Sequence, residues 1–595
     1  MSFVGLILVA GLLGVDVGAA GPTAAAPADG ASDVDPLGPE RQLVTGERGH
    51  RILELVAADA GHVLPTFAGP LPWRRADRIV RDAVAAPDAA DGLSGPLRLS
   101  TAGRAALRFA LRSFALVDDP GAGWAVQVSP VFAPEVHVRT TPVADGPLWD
   151  VGFRERQGVF GLDAQARVRL FDDVEVWGRG TYDLRLDQNA YAAPGAAAAG
   201  SNVVDPVAWD MSFPHRALVG LGGARFGLLV GRDRLAIGNG RTANLMVGDS
   251  ADVHDFVRAQ IFLPSVTWTS LILRLDPVLL DDEGTRWGLQ DAIAVEKHLV
   301  VHRLELVVLD KLLLAATEGS MIGGVPLDLR HLNPLLIFHN LFAWNEVAAY
   351  EAAAALVTLE ATAVPLRGLR LWGQYAIQQL QTPFERTTYP GAADALPDAT
   401  AFLAGGELSA PVAWSASPRL PWARPADTAF VVFGGELVHV DPWFGLTAHP
   451  WTTFASRRRL PSNLGATVPG STAVVERPLG PRLGPDSRSL RVWVGAVDVG
   501  LGELELWTEL RLRGEQTLRT FLVPGPAATA LTTPTGIVEQ SRVTGLSWAL
   551  LPLRAGRIAL TVRFDWRHFV VDNAGHVAGV TVVDDQFVAS TRLDL

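Results

Sequence analysis

Three adjacent arginines, Arg457-Arg458-Arg459, follow closely on Trp443, Phe444 and Trp451, with Trp414 and Trp422 a little upstream. Indole faces can lie against the C–H surface of a sugar ring, and guanidinium forks pair in two-point fashion with carboxylates of an acidic polysaccharide. Trp414, Trp422, Trp443, Trp451 and Arg457 to Arg459 are therefore candidate glycan-binding residues. The same types also fit a second reading, in which Trp443 and Trp451 belong to an aromatic girdle at a membrane boundary and the arginines are simply solvated.

Reaction chemistry finds little support. HExxH, GxSxG, a glycine-rich phosphate loop with a following lysine, and cysteine are all absent. His302, Asp328, His331 and His339 can be imagined as a cluster, but the "FHN" that contains His339 reads better as a fold determinant at a loop-to-strand junction. No enzyme activity, cofactor or metal site is expected. Lys297 and Lys311 are the only lysines, and the net charge is −12. Nucleic acid, which needs clustered positive charge, is excluded as a partner.

The elements that must carry these residues show in the hydropathy pattern. In "GLDAQARVRLFDDVEVWGRGTYDLRLD" (161–187), Leu162, Ala164, Ala166, Val168 and Leu170 alternate with Asp163, Gln165, Arg167 and Arg169, and the alternation resumes beyond Asp172-Asp173. Strand side chains point to opposite faces with period 2, so this is a hairpin with one apolar and one charged face. "ELELWTELRLR" (503–513) and "GRIALTVRFDWRHF" (556–569) repeat the pattern, as does the terminal "FVASTRLDL" (587–595). Some 16 to 20 such strands of about 9 to 11 residues are predicted after residue 117, the length that crosses a bilayer when tilted. By parity Trp177, Trp372 and Trp507 fall on the charged face, where they could form a glycan track or pack against a plug.

The medium against the apolar faces follows from the rest of the chain. It is 48% hydrophobic, with mean hydropathy +0.21 and only 19% charged residues, yet beyond the N-terminus no apolar run reaches the ~18 residues of a membrane helix. Phe3 to Val15 followed by small residues near Ala20 has the layout of a signal peptide, residues 1–20. Residues 21–40 are Ala, Gly, Pro and Asp without periodicity, as in a flexible linker. Helical spacing then runs through 42–60, 74–86 and 100–114, giving a small bundle over 41–116 that cannot bury much surface alone. Tight joins at 365–370 and 552–557 contrast with long connections at 187–215, 380–402, 412–428, 445–487 and 522–541, which are expected on the opposite, outer side.

Four ordered segments carry a family resemblance: "GRDRLAIGNGRTANLMVGDSADVHDFVRAQIF" (231–262), "KHLVVHRLEL" (297–306), "EGSMIGGVPLDLRHLNPLLIFHN" (318–340) and "PLGPRLGPDSRSLRVWVG" (478–495). Together they resemble the Wzi family of capsule assembly proteins. The matching positions are Gly238, Gly240, Asn244, Leu245 and Asp249; His302 and Arg303; Asn333, Pro334, His339 and Asn340; and Gly480, Gly484, Pro485 and Asp486. Most read as structural, because glycine, Asn-Pro and Gly-Pro-Asp are turn makers.

The resemblance implies an all-β transmembrane β-barrel of about 18 antiparallel strands over 117–595, with residues 41–116 as a small N-terminal α-helical periplasmic plug. The expectation is a monomer in the bacterial outer membrane, touching outer-membrane lipid, that binds or organises surface or capsular polysaccharide without chemistry. A general or substrate-selective porin-like diffusion channel is the alternative.

Overall fold

A computed structural model describes residues 48–69, 99–100, 102–106 and most of 124–594. Residues 1–47, 70–98, 107–123, 187–208, 280–293, 334–352, 414–427 and 462–471, with shorter segments, lie outside the described residues, and the expected signal peptide, linker and 74–86 helix fall among them.

The described chain is dominated by one antiparallel sheet. Its strands are β1 (Trp124–Phe132 with Glu135–Arg139), β2 (Trp149–Gly152 with Phe160–Arg169), β3 (Glu175–Asp183), β4 (Arg216–Gly222), β5 (Phe226–Asp233) and β6 (His254–Phe262). There follow β7 (Val266–Leu279), β8 (Ala294–Val308), β9 (Leu312–Gly323), β10 (Ala353–Leu366), β11 (Leu369–Gln379) and β12 (Ala399–Ala413). The last are β13 (Thr428–Val440), β14 (Ser487–Asp498), β15 (Gly502–Arg513), β16 (Glu539–Leu550 with Leu553–Ala555), β17 (Ile558–Asp572) and β18 (Thr581–Asp594). The sheet's 21 segments reduce to 18 strands because three continue a neighbour across a break, in β1, β2 and β16. Each strand pairs with the next, and β1 pairs back with β18 through Val131↔Asp594 and Val138↔Phe587, which closes the ring. Joining the first strand to the last is the condition for a sheet to sit in hydrocarbon.

The exposure pattern reverses that of a water-soluble sheet. On β15, Leu504 and Leu506 are each 46% exposed while Trp507 is 6% and Glu509 is 2% exposed. Burial of apolar surface drives folding in water, so a wall that turns its leucines out and its glutamates in is built for an apolar surrounding.

The two ends differ. Turns 309–311 and 367–368 and the end of β18 lie at one end, and the connections 324–352, 380–398, 441–486 and 514–538 lie at the other. Short turns mark the periplasmic end and long connections the outer one. One expectation is corrected here. β11 leaves the short-turn end at Leu369 and β12 returns to it at Ala413, so the connection 414–427 joins β12 to β13 at the periplasmic end. Trp414 and Trp422 lie outside the described residues. Length and Pro/Ala composition suggested the outer side, but strand parity decides it.

Helix α1 (Arg48–Ala60) lies inside the ring at the short-turn end. Its Ala58 carbonyl accepts from Gly368 N at 2.7 Å, and Val63 N, just past it, donates to Asp310 O at 2.9 Å. Ile52, Leu53, Leu55 and Val56, on the helix predicted over 42–60, pack with Phe67 against the wall residues Leu313, Val364, Phe430 and Val497.

Candidate functional site

The chain beyond α1 climbs into the lumen and meets a segment folded inward from the outer end. Residues 234–248, between β5 and β6, turn down into the ring, where Leu235, Ile237, Leu245, Met246 and Val247 are at most 1% exposed. Ile237 bridges both Ala68 and Val247. Gly238 and Gly240 belong to this segment: a Cβ on Gly238 would stand 2.2 Å from Asn244 Oδ1, and one on Gly240 1.9 Å from the Ala243 carbonyl. Asn244 Oδ1 accepts from Gly240 N at 3.0 Å and from Gln374 Nε2 at 2.8 Å, while Gln374 Oε1 accepts from Leu245 N at 2.8 Å. The turn makers of the first family-like segment thus shape a lumen filling. Asp249 lies outside the described residues.

Two carboxylates hold this filling to the wall. Glu407 accepts both terminal nitrogens of Arg51 at 2.6 Å, and also Arg241 and Trp493 Nε1 (3.0 Å). Glu436 accepts Arg241 N (2.7 Å), Thr242 N (2.8 Å), the Thr242 hydroxyl and Trp372 Nε1 (2.7 Å). Both sit in the same tetrapeptide, Gly-Gly-Glu-Leu, at 405–408 on β12 and 434–437 on β13. Antiparallel register sets Gly405 opposite Glu436 and Glu407 opposite Gly434. Trp372 of β11 crosses Gly405 to reach Glu436, and Trp493 of β14 crosses Gly434 to reach Glu407, leaving the two indoles stacked 6.4 Å apart. A Cβ on Gly405 would stand 2.5 Å from Trp372. Gly405→Val is accordingly expected to cost about 1–3 kcal/mol by overpacking, read as a lower temperature of the heat-modifiable gel shift that folded barrels show.

Guanidinium groups cover the indoles: Arg370 over Trp372 at 4.4 Å, Arg241 over Trp493 at 4.3 Å and Arg491 over Trp507 at 4.0 Å. Trp372 and Trp507 are therefore packed with the lumen filling and are not an open track; Trp177 packs against the same core. Arg303 supplies a further anchor. It pairs with Glu360 and Glu305, and Glu305 accepts Thr66 Oγ1 at 2.5 Å and Phe67 N at 2.8 Å. Its neighbour His302 lies on the outer wall beside Trp268.

Within α1, burial raises the Glu54 carboxyl, but Arg370, His50 and Arg51 outweigh that and hold it below its ordinary 4.5. A carboxyl whose folded value is depressed stabilises above its unfolded value, and the contribution disappears as pH falls through the folded value. Protease access to α1 is expected to be unchanged from neutral to mildly alkaline pH and to rise on acidification well below pH 4.5. Glu54→Gln should remove part of that acid step.

At the outer end the long connections form a layer. Asp486, in Gly484-Pro485-Asp486, is fully buried and takes positive φ, as Gly484 does. Its carboxylate accepts Thr535 N (3.0 Å), Thr535 Oγ1 (2.5 Å) and Gln516 N (3.2 Å), tying 478–486 to 514–535. Gly480 packs against the Leu245 carbonyl, joining this layer to the lumen filling. Trp443 is 7% exposed, donates to the Ala528 carbonyl at 2.9 Å and packs on Leu446. It is an internal post of the layer, neither a girdle residue nor an open sugar platform. Trp451 is half-buried and stacks on His449 at 4.7 Å. Arg457 is 5% exposed and bonded to Glu476 (2.5 Å) and the Pro277 carbonyl (3.2 Å). It is spent on the fold, which corrects both readings of it. Arg458 and Arg459 continue its short strand, Ala455–Pro461, paired with Thr472–Pro478. Asn333 is exposed, and Pro334, His339 and Asn340 lie outside the described residues.

Where this layer meets the lumen filling there is a narrow cleft lined by Thr242, Ala243, Val438, Pro481, Arg482, Leu483, Ser487 and Ser489. It has room for little more than one water, and its polar groups are engaged within the fold: the Thr242 hydroxyl with Glu436, the Ser487 hydroxyl with the Gly484 carbonyl (2.8 Å) and Arg482 with Glu509 (2.6 Å). Neither the Gly-Gly-Glu-Leu carboxylates nor Gln374 figured among the expected site residues, although the repeated tetrapeptide was a signal that could have found them.

A closed wall of 18 strands, apolar outside and packed inside, defines the fold of the bacterial outer-membrane β-barrels, of the kind whose lumen is occupied. Among solved structures the chain is similar to Wzi of Escherichia coli, described as an outer-membrane protein involved in group 1 capsule assembly and a carbohydrate-binding β-barrel. The two share 13% identity over 93% of this chain and 99% of that one, with a TM-score of 0.52. A BenF-like porin from Pseudomonas fluorescens Pf-5 is more distant, at 10% identity over 79% and 99% of the two chains and a TM-score of 0.39. No protein-family model and no curated protein matches the chain.

Proposed function

We propose that this barrel resides in the outer membrane and binds or organises surface or capsular polysaccharide at its outer end, without catalysing a reaction. Residues 41–116 act as the periplasmic plug. The observation that carries the reading is the anchoring of α1 and the 234–248 segment through Glu407 and Glu436: a lumen filled on both sides of these carboxylates leaves the loop layer as the working surface. The outer loop layer, with Trp451 and the Ala455–Pro461 strand that carries Arg458 and Arg459, is the candidate contact for an acidic glycan. The fold likeness to a carbohydrate-binding barrel supports the same reading.

Retention of the purified protein on immobilised capsular or exopolysaccharide tests it, alongside planar-bilayer conductance. Retention with a silent bilayer is the expected result. Steady large conductance steps without retention would replace this reading by the diffusion channel.

A further inference from the structure

The outer wall of the barrel changes character with height. Towards the short-turn end its outward positions are apolar, as at Val230, Val257, Leu437 and Leu490, which are 40–46% exposed. One row nearer the long-loop end, the same strands carry Arg232, Asp255, His439 and Arg488. Register aligns Arg232, Asp255, Arg274 and His298 side by side across β5 to β8. On the other flank Arg488 Nε donates to His439 Nδ1 at 2.9 Å, and Arg542 lies two strands further on.

These guanidinium groups are weakly committed. The Arg274 side chain is 65% exposed and 3.7 Å from Glu296, and Arg542 is 62% exposed and 3.3 Å from Asp572. Exposed pairs of this kind contribute little to stability, so a stronger anion can take the arginine at small cost. Arg232 is held more firmly, in a two-point pair with Asp255 at 2.7 Å. A belt of arginines on the lipid-facing wall, just above an apolar band, sits where hydrocarbon gives way to head groups. Phosphate is the anion whose geometry a guanidinium fork matches there.

We propose that Arg274, Arg488 and Arg542 form a binding belt for the phosphates of the glycolipid head group in the outer leaflet. Asp255, Glu296 and Asp572 keep the belt from attracting anions indiscriminately. This is a contact with the surrounding membrane, separate from the polysaccharide surface on the loop layer.

The test uses the full chain in detergent, titrated with bisphosphorylated lipid A, with lipid A stripped of phosphate, and with phosphatidylglycerol, bound lipid being counted by native mass spectrometry. The wild type should bind the bisphosphorylated form in preference to the other two. The R274Q/R488Q/R542Q variant should lose affinity on the order of a hundred-fold while keeping its heat-modifiable gel shift. If the triple variant does not fold, each single variant should still lose several-fold. Equal binding by wild type and variants, or equal binding of phosphate-free lipid A or phosphatidylglycerol, would overturn the proposal.

Discussion

Glu407→Ala is expected to open the barrel. The substitution strips both nitrogens of Arg51, Arg241 and the Trp493 indole of their common acceptor. Arg51 and Glu407 are 7% and 4% exposed, so the buried arginine would lose both of its short bonds and keep only Glu54, 3.6 Å away and shared with Arg370. Removing one partner of such a pair costs about 3–5 kcal/mol. That loss falls on the contact between α1 and β12, and not on the ladder that closes the wall. The ring should persist while α1 detaches, giving flickering conductance steps in planar bilayers and rapid cleavage of 48–60 by added protease. Leu408→Ala serves as the control, since Leu408 is the next residue on the same strand but faces outward at 50% exposure. A silent, protease-resistant Glu407→Ala protein would mean that apolar packing of Ile52, Leu53 and Val56 holds the helix without the carboxylate.

The second large effect belongs to Asp486. Its carboxylate is the meeting point of two connections, and the Thr535 and Gln516 donors it satisfies lie far away in sequence. Hydrogen bonds to a charged group contribute about 1.5–3 kcal/mol each, more than a neutral bond. Asp486→Ala should therefore release 514–535 from the 478–486 turn, seen as protease nicking near the exposed Val523, with the gel-shift temperature of the barrel nearly unchanged. Under the polysaccharide reading, retention on immobilised glycan should fall together with the nicking. Nicking without any loss of retention would separate the loop layer from glycan binding and move attention to surfaces elsewhere.

Much of the molecule was open to inspection in its sequence because period 2 is a local property. Each strand declares its two faces residue by residue: Leu504, Leu506 and Leu510 turned outward and Glu505, Trp507 and Glu509 inward as their alternation required. Strand number, closure and helix α1 followed from the same local pattern and the family resemblance. The repeated Gly-Gly-Glu-Leu was also in plain view, but its meaning was not. Only when antiparallel register sets Gly405 opposite Glu436 and Glu407 opposite Gly434 do two glycines become the floor beneath two indoles.

The sites were harder for a related reason. Trp443 and Arg457 looked available because aromatic and charged residues in loops usually meet solvent, yet whether a loop side chain is spent or free depends on partners on other elements: Ala528, 85 positions away, for Trp443, and Pro277 and Glu476, 180 and 19 positions away, for Arg457. The sequence alone determined that this chain makes a wall with one face for hydrocarbon and one for charge, since alternation is written into neighbouring residues. What fills the space behind that wall, which end each connection occupies and which arginines remain available were decided by tertiary structure, because they depend on register and on long-range pairing of buried charge, which no local pattern encodes.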